Sequence, residues 1–380
     1  MNPHQRVLLF LQLDSMAVQR LNITSFLELA QQHLVLDVRS PGEFKQAHIP
    51  GAKNLPLFTD EERKVVGTAY KQQSREIAIK VGLDYFGTKM RTMVEQVEAW
   101  LAEREKLTGS ADKTVLVHCW RGGMRSAGVA WLLELYGFKV YSLVGGYKKF
   151  RHWVIDSFQV PYQFRILGGY TGSGKSYVLR TLGERGASIV DLEGIASHKG
   201  SAFGNIGLPP QPSQEMFENR LAWDLRKQTG LLFTDLSPSE NLATPESIIW
   251  LEDESQRIGL VNIPQPLWNH MRQCPVYFLD IPFEERLIHI TAEYGPLDKQ
   301  KMADAIQRIQ KRLGPLETKT ALQHLAANEI ADCFRILLKY YDKWYLKGLQ
   351  NRENLTALLK NLPAERVAHE VNATIVLSAN

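Results

Sequence analysis

The sequence predicts an α/β protein built on parallel sheets, in two domains, with a helical C-terminal region. Three observations predict it. Apolar strand-length runs alternate with helix-length runs through most of the chain, the rhythm of a parallel sheet with crossover helices. Two of those strands, "KTVLVHC" (113–119) and "FRILGG" (164–169), run directly into glycine-rich turns that open helices. The length of 380 residues exceeds the usual size of a single domain, and each half can bury its own core.

The elements follow in order. "MNPHQRVLLFLQLDSMAVQR" (1–20) has a short apolar patch, a polar continuation and no small-residue cleavage site, and reads as a first strand or helix rather than a signal peptide. "LVLDVRS" (34–40) is a buried strand, and "PGEFKQAHIPGAKNLPL" (41–57) is a turn-rich loop. A long charged stretch of helical pattern, about 59–106, is an insertion before the strand 113–119. "RSAGVAWLLELYG" (125–137) is a helix ending at Gly137, and "KVYSLVGGY" (139–147) a third strand. The segment 150–163 joins the halves, giving a first domain over 1–155. The second, over 156–295, repeats the rhythm. Its helix "GKSYVLRTLGERG" and strand "SIVDLEG" precede an amphipathic helix, "QEMFENRLAWDLRKQ", and two strand-to-loop units, "SIIWLEDESQRIG" and "CPVYFLDIPFEERL". Residues 296–380 are mainly helical and belong with this second domain.

Composition bounds the function. The apolar share of 44% and charged share of 23% are those of an ordinary globular protein. No apolar run reaches the roughly 20 residues that span a bilayer, so no membrane role is expected. A net charge of +4 permits a nucleic-acid partner without requiring one. Within 299–352, however, eleven Lys and Arg stand against five Asp and Glu. Three widely spaced cysteines, Cys119, Cys274 and Cys333, fit neither a disulfide framework nor a zinc cluster, which points to the reducing cytoplasm.

Cys119 is the chemically loaded cysteine. In "VLVHCWRGGMRS" it stands at a strand end, before Gly122 and Gly123, with Arg121 and Arg125 nearby in the turn. A loop that curls its amides inward, a helix starting near Ser126 and two guanidinium groups would each favour the thiolate, and would hold an oxyanion beside it. "GYTGSGKS" (169–176) is a phosphate loop, with Gly169, Gly172, Gly174, Lys175 and Ser176 between a strand and a helix. Amides and the helix N-terminus supply partial positive charge, and Lys175 a full one. Asp191 and Asp280, each after an apolar strand, are the candidate acids for a magnesium ion that Ser176 would help to hold. No tightly bound cofactor or certain metal site is expected.

"LVLDVRSPGEFKQAHIPGAKNLPL" with "VLVHCWRGGMRS" resembles a rhodanese domain, the sulfurtransferase fold. The likeness rests on Asp37, Arg39, Glu43, Phe44, His48 to Ala52, Asn54 and the catalytic Cys119. Arg125 lies six positions after the cysteine, one more than in many single-domain rhodaneses, and that spacing also resembles the phosphatase relatives of the fold. The loop alone leaves a chalcogen carrier and a phosphatase open.

A rhodanese domain joined to a P-loop domain resembles the tRNA 2-selenouridine synthases. "DLEGIASHKGSAFG", "QPSQEMFENRL", "WLEDESQRIG" and "PVYFLDIPFEER" extend the likeness over most of the chain. The resemblance implies conversion of 2-thiouridine to 2-selenouridine at the wobble position of the tRNAs for Lys, Glu and Gln. Geranylation by geranyl diphosphate comes first, then selenation by selenophosphate, with Cys119 carrying selenium as a selenylsulfide. A selenophosphate source enzyme becomes a partner, and the chain is expected to act as a monomer. The P-loop ligand is geranyl diphosphate by motif chemistry, with selenophosphate or a nucleotide as alternatives. With tRNA as substrate, Lys311, Arg312, Lys339 and Lys343 become candidate backbone contacts. The run Tyr340, Tyr341, Trp344 and Tyr345 could stack on an anticodon base, but its spacing favours a place in the core. Two other classes remain: a sulfurtransferase or phosphatase fused to an ATP-using domain, and a signalling module.

Overall fold

The computed structural model describes residues 18–231 and 247–379. The first 17 residues of the N-terminal stretch, read above as a strand or helix, lie outside them. The described residues form two compact units that divide after Val154.

The first unit is a five-stranded sheet in which every pairing is parallel, in the order β1-β5-β4-β2-β3. The strands are β1 (Gln19–Leu21), β2 (Leu34–Asp37), β3 (Lys53–Asn54), β4 (Thr114–His118) and β5 (Lys139–Leu143). Helices α1 (Ile23–Ala30) and α2 (Pro41–Gln46) flank β2, and the charged insertion forms α3 (Asp60–Gln72) and α4 (Arg75–Thr108). Helix α5 (Met124–Tyr136) follows β4 and stops at Gly137, which adopts the left-handed conformation that ends a helix cheaply only in glycine. All five residues of β4 are buried, as a central strand covered on both faces requires. Val115 and Val117 pack with Leu36, Val129 and Leu133 in the core, and Met93 and Val97 of α4 cover it.

One element departs from the sequence reading. The third strand stops at Leu143 rather than running to Tyr147, and helix α6 (Gly146–Ser157) begins within the "GGY". Gly145 and Gly146 both have positive φ, a conformation no strand uses.

The second unit has its own parallel sheet, in the order β12-β11-β6-β8-β7. Its strands are β6 (Gln163–Gly169), β7 (Ser188–Val190), β8 (Ile248–Glu252), β11 (Val276–Asp280) and β12 (Leu359–Pro363), with β9 (Arg257–Ile258) and β10 (Val261–Asn262) as a small antiparallel pair. The crossovers carry α7 (Lys175–Glu184), α8 (Leu192–Ala196), α9 (Gln214–Gln228) and α10 (Gln265–Arg272). Then follow α11 (Phe283–Tyr294), α12 (Lys299–Leu313), α13 (Pro315–Ala326), α14 (Ile330–Gln350), α15 (Leu355–Leu358) and α16 (His369–Ser378). The helical C-terminal stretch thus returns to the sheet and supplies its edge strand, β12. Among the described residues no helix is long and apolar enough to cross a membrane.

A buried ion pair ties the first unit together beneath Cys119. Asp37 and Arg39 are 0% and 1% exposed. Arg39 binds both carboxylate oxygens, donates to Ala47 O at 2.7 Å, and stacks its guanidinium 3.7 Å from the Tyr147 ring centre. Burial alone would raise the Asp37 carboxyl, but the charges of His118 and Arg39 and the Arg39 hydrogen bonds hold it below 3.8. Burial pushes His118 toward its neutral form and so weakens its share of this effect, whereas Arg39 keeps its charge and is the lasting partner. Arg39→Ala strands a buried carboxylate and should lower stability by about 3–5 kcal/mol in urea titration. Asp37 has a lowered folded pKa, so its contribution is complete above the unfolded value and is lost as pH falls through the folded one. Wild-type stability should therefore drop below about pH 4 more steeply than that of Arg39→Ala.

Candidate active sites on two strand-to-helix turns

Cys119 is the first residue after β4, the strand flanked by β2 and β5. Its carbonyl accepts from Tyr147 N at 2.8 Å, and the Trp120 carbonyl accepts from Lys148 N at 2.9 Å. The first turn of α6 therefore spends its unpaired amides on shaping the cysteine loop. The approach is close enough to demand glycine. A Cβ at Gly146 would lie 2.3 Å from Cys119 O, and one at Gly122 would lie 2.5 Å from Leu143 O. Gly123 caps α5, at whose N-terminus the loop ends.

Cys119 Sγ lies 3.3 Å from Ser126 Oγ. Burial pushes the thiol pKa up, but hydrogen bonds from Ser126 and Gly123 and the charge of Arg125 outweigh it and leave the pKa below its ordinary value. Arg125 is itself held by Glu43 at 3.0 Å, and Glu43 also closes the capping box of α2. Arg121 is exposed on the turn. The other two cysteines behave oppositely: burial drives Cys274 up to about 11 and Cys333 up to about 12. Of the three, Cys119 alone is poised as a nucleophile. Iodoacetamide at pH 7.5 should label Cys119 ahead of Cys274 and Cys333 in peptide mass maps. Ser126→Ala removes a donor to the thiolate, so its labelling profile should move to higher pH.

The phosphate loop lies between β6 and α7, with Gly169, Gly172 and Gly174 all at positive φ. Gly169 N donates to Tyr345 Oη at 3.1 Å, and Tyr345 Oη donates to Asp253 at 2.7 Å. Arg352 grips both oxygens of Asp253, at 2.6 and 3.1 Å. Arg286 clamps the other side, donating to Thr171 O at 3.0 Å and pairing with Asp342. The loop opens on a cleft of about 790 Å³.

Lys175 points at carboxylates, with Glu254 at 3.2 Å and Glu193 at 3.9 Å. Burial works against its ammonium, yet Glu254, Glu193 and Glu252 raise its pKa, so it stays charged. Ser176 Oγ donates to Glu193 at 2.6 Å. Glu252 is fully buried, and its Oε1 has no hydrogen-bond partner among the described residues. Burial and the neighbouring Asp191, Glu193 and Glu254 carboxylates push its pKa well up. One lysine against three acids is a donor set that fits a divalent cation at Ser176, Glu193 and Glu254.

Of the two acids singled out from sequence, neither pairs with Lys175 or Ser176. Asp191 caps α8 through Gly194 N at 2.6 Å and pairs with Arg180 at 3.1 Å. Asp280, exposed at the end of β11, accepts from Asn361 at 3.2 Å. The carboxylates beside Lys175 come from α8 and from the end of β8, which pairs directly with β6. The acid run in "WLEDESQRIG" was the available signal. Lys311, Arg312, Lys339 and Lys343 are all exposed, and Arg312 lines the cleft. The aromatic run divides: Tyr345 and Tyr341 bond internally, whereas Trp344 is 41% exposed.

Residues 162–372 match the model of the tRNA 2-selenouridine synthase AAA domain, and residues 24–152 match the rhodanese-like domain. The tRNA 2-selenouridine synthase of Bdellovibrio bacteriovorus is 31% identical over 94% of this chain and 100% of its own length. That of Hydrogenovibrio crunogenus is 34% identical over 84% and 90%, and that of Pseudomonas syringae pv. tomato 36% over 82% and 87%. With one domain model covering more than half its length and these relatives matched nearly end to end, the chain belongs to the tRNA 2-selenouridine synthase family.

Proposed function

We propose that this chain replaces sulfur by selenium at the wobble 2-thiouridine of the tRNAs for Lys, Glu and Gln, dividing two reactions between its two turns. On the phosphate loop, geranyl diphosphate alkylates the thiocarbonyl sulfur. A carbon–sulfur bond forms, the carbon–oxygen bond to diphosphate breaks, and N3 of the base gives up its proton. Lys175 and the loop amides take up the charge growing on the diphosphate. In the second reaction selenium from selenophosphate arrives at C2, geranyl thiol departs, and hydrolysis of the selenium–phosphorus bond releases phosphate. Alkylation makes this exchange feasible, because a thioether sulfur leaves far more readily than a thiocarbonyl sulfur. Cys119 supplies the thiolate that opens this exchange: it bonds to C2 and expels geranyl thiolate, and the selenium of selenophosphate then displaces the cysteine from C2.

The observation that carries this reading is the pairing of two anion-receiving turns in one chain. One holds a thiol shifted toward the thiolate, and the other a half-buried, charged lysine. A magnesium ion at Ser176, Glu193 and Glu254 would add charge neutralisation when bound. tRNA backbone phosphates would meet Lys311, Arg312, Lys339 and Lys343.

The test is purified enzyme with geranyl diphosphate and thiolated tRNA, ATP omitted, read by nucleoside mass analysis. S-geranyl-2-thiouridine should form, and Lys175→Ala should slow that step about a hundredfold or more. Given tRNA already geranylated, Lys175→Ala should still yield 2-selenouridine. Cys119→Ser should instead accumulate the geranylated nucleoside, while Cys274→Ser and Cys333→Ser should complete both steps. A requirement for ATP with stoichiometric ADP release would make the loop a nucleotide site and end the reading of its ligand. For tRNA binding, changing Lys311 and Arg312 together to Ala should flatten the plot of log affinity against log salt by about two.

A further inference from the structure

Trp344 is out of character for the helix that carries it. Its neighbour Tyr345 is consumed by Gly169 and Asp253, and Tyr341 Oη accepts from Ala202 N at 3.2 Å. Trp344, on the same helix, leaves 41% of its surface exposed on the wall of the phosphate-loop cleft. The Arg312 guanidinium stands 5.5 Å from its ring centre and the Lys347 ammonium 5.3 Å away, with Tyr340 edge-on at 6.4 Å. An apolar docking patch would surround such an indole with aliphatic side chains. Here two cations stand against it, an arrangement that suits a flat π-system with an anion on either side.

We propose that Trp344 is the stacking platform for an unpaired base of the tRNA anticodon loop, with Arg312 and Lys347 receiving the phosphates that flank it. This deepens the proposed function and rests on tRNA being the substrate. A base that slides onto the indole displaces one cation from the ring face, and the freed cation pairs with a phosphate. The exchange replaces a cation–π contact by a stacked pair plus a charge-assisted contact, with no large movement of α14. Because the same cleft holds the phosphate loop, a base on Trp344 would enter the compartment proposed above for the diphosphate. Arg272, which also lines the cleft, lies 5.5 Å from the ring centre of Trp268 and donates to Gly348 O of α14 at 2.8 Å.

The experiment uses the full chain and an anticodon stem–loop RNA carrying 2-aminopurine at the wobble position. Wild-type protein should quench the fluorophore on binding. Trp344→Ala should lose that quenching and bind about tenfold or more weakly, as stacking losses do. Trp344→Phe should keep most of both, and Arg312→Glu should weaken binding while leaving residual quenching. Thermal melting confirms that each variant is folded. If folded Trp344→Ala binds and quenches like wild type, the platform is wrong while the tRNA reading stands. If wild type binds neither the stem–loop nor whole tRNA, the substrate reading falls and takes the platform with it.

Discussion

The first amides of a helix have no partners within it, and this constraint shapes both reactive turns. In the first unit two such amides, of Tyr147 and Lys148, are spent on the carbonyls of Cys119 and Trp120. The cysteine loop is thereby pinned from outside, which frees its own groups and the start of α5 to act on the sulfur. In the second unit the glycines of the phosphate loop hold positive φ at three positions, and the chain turns from strand to helix without a Cβ in the way. Parallel sheets put both turns at the carboxyl ends of central strands, β4 and β6, where such crevices form.

Electrostatics separates the two turns. Around Cys119 positive charge and hydrogen-bond donors prevail, and a group that burial would neutralise is drawn toward its anion. Around Lys175 acids outnumber the base, and the lysine is drawn toward its cation. A turn of the first kind invites electron-rich attack, and one of the second kind invites a polyanion that arrives with a metal ion. In the proposed reaction the same backbone device would serve a nucleophile in one unit and a leaving group in the other.

Much of this was legible in the residues. The two strand–glycine–helix junctions, the long helical insertion and the loop motif are local patterns, and local patterns survive folding. What escaped was decided by strand order and by distant contacts. Asp280 and Glu254 both follow apolar strands, on β11 and β8, and both strands adjoin β6. Nothing along the chain says which of them turns its acid toward Lys175. "KVYSLVGGY" looked like one strand because its apolar run continues to Val144, while the need for a helix start at Gly146 comes from the cysteine loop packed against it. Trp344 was read as core from its spacing, which cannot reveal that this part of α14 borders a cleft, lined by Tyr341 and Tyr345 as well as by Trp344.

Tyr345 Oη takes the amide of Gly169 across 176 positions of sequence, and hands the interaction on to Asp253 and Arg352. The eight-residue motif is thus portable only in part. Transplanted alone into another scaffold, "GYTGSGKS" would bring its glycines but not the hydroxyl that anchors its first amide, nor the arginine beneath Thr171. Its natural unit of exchange is the loop together with α11 and α14, so recombination between relatives should tolerate crossovers before β6 far better than crossovers between the motif and the C-terminal helices.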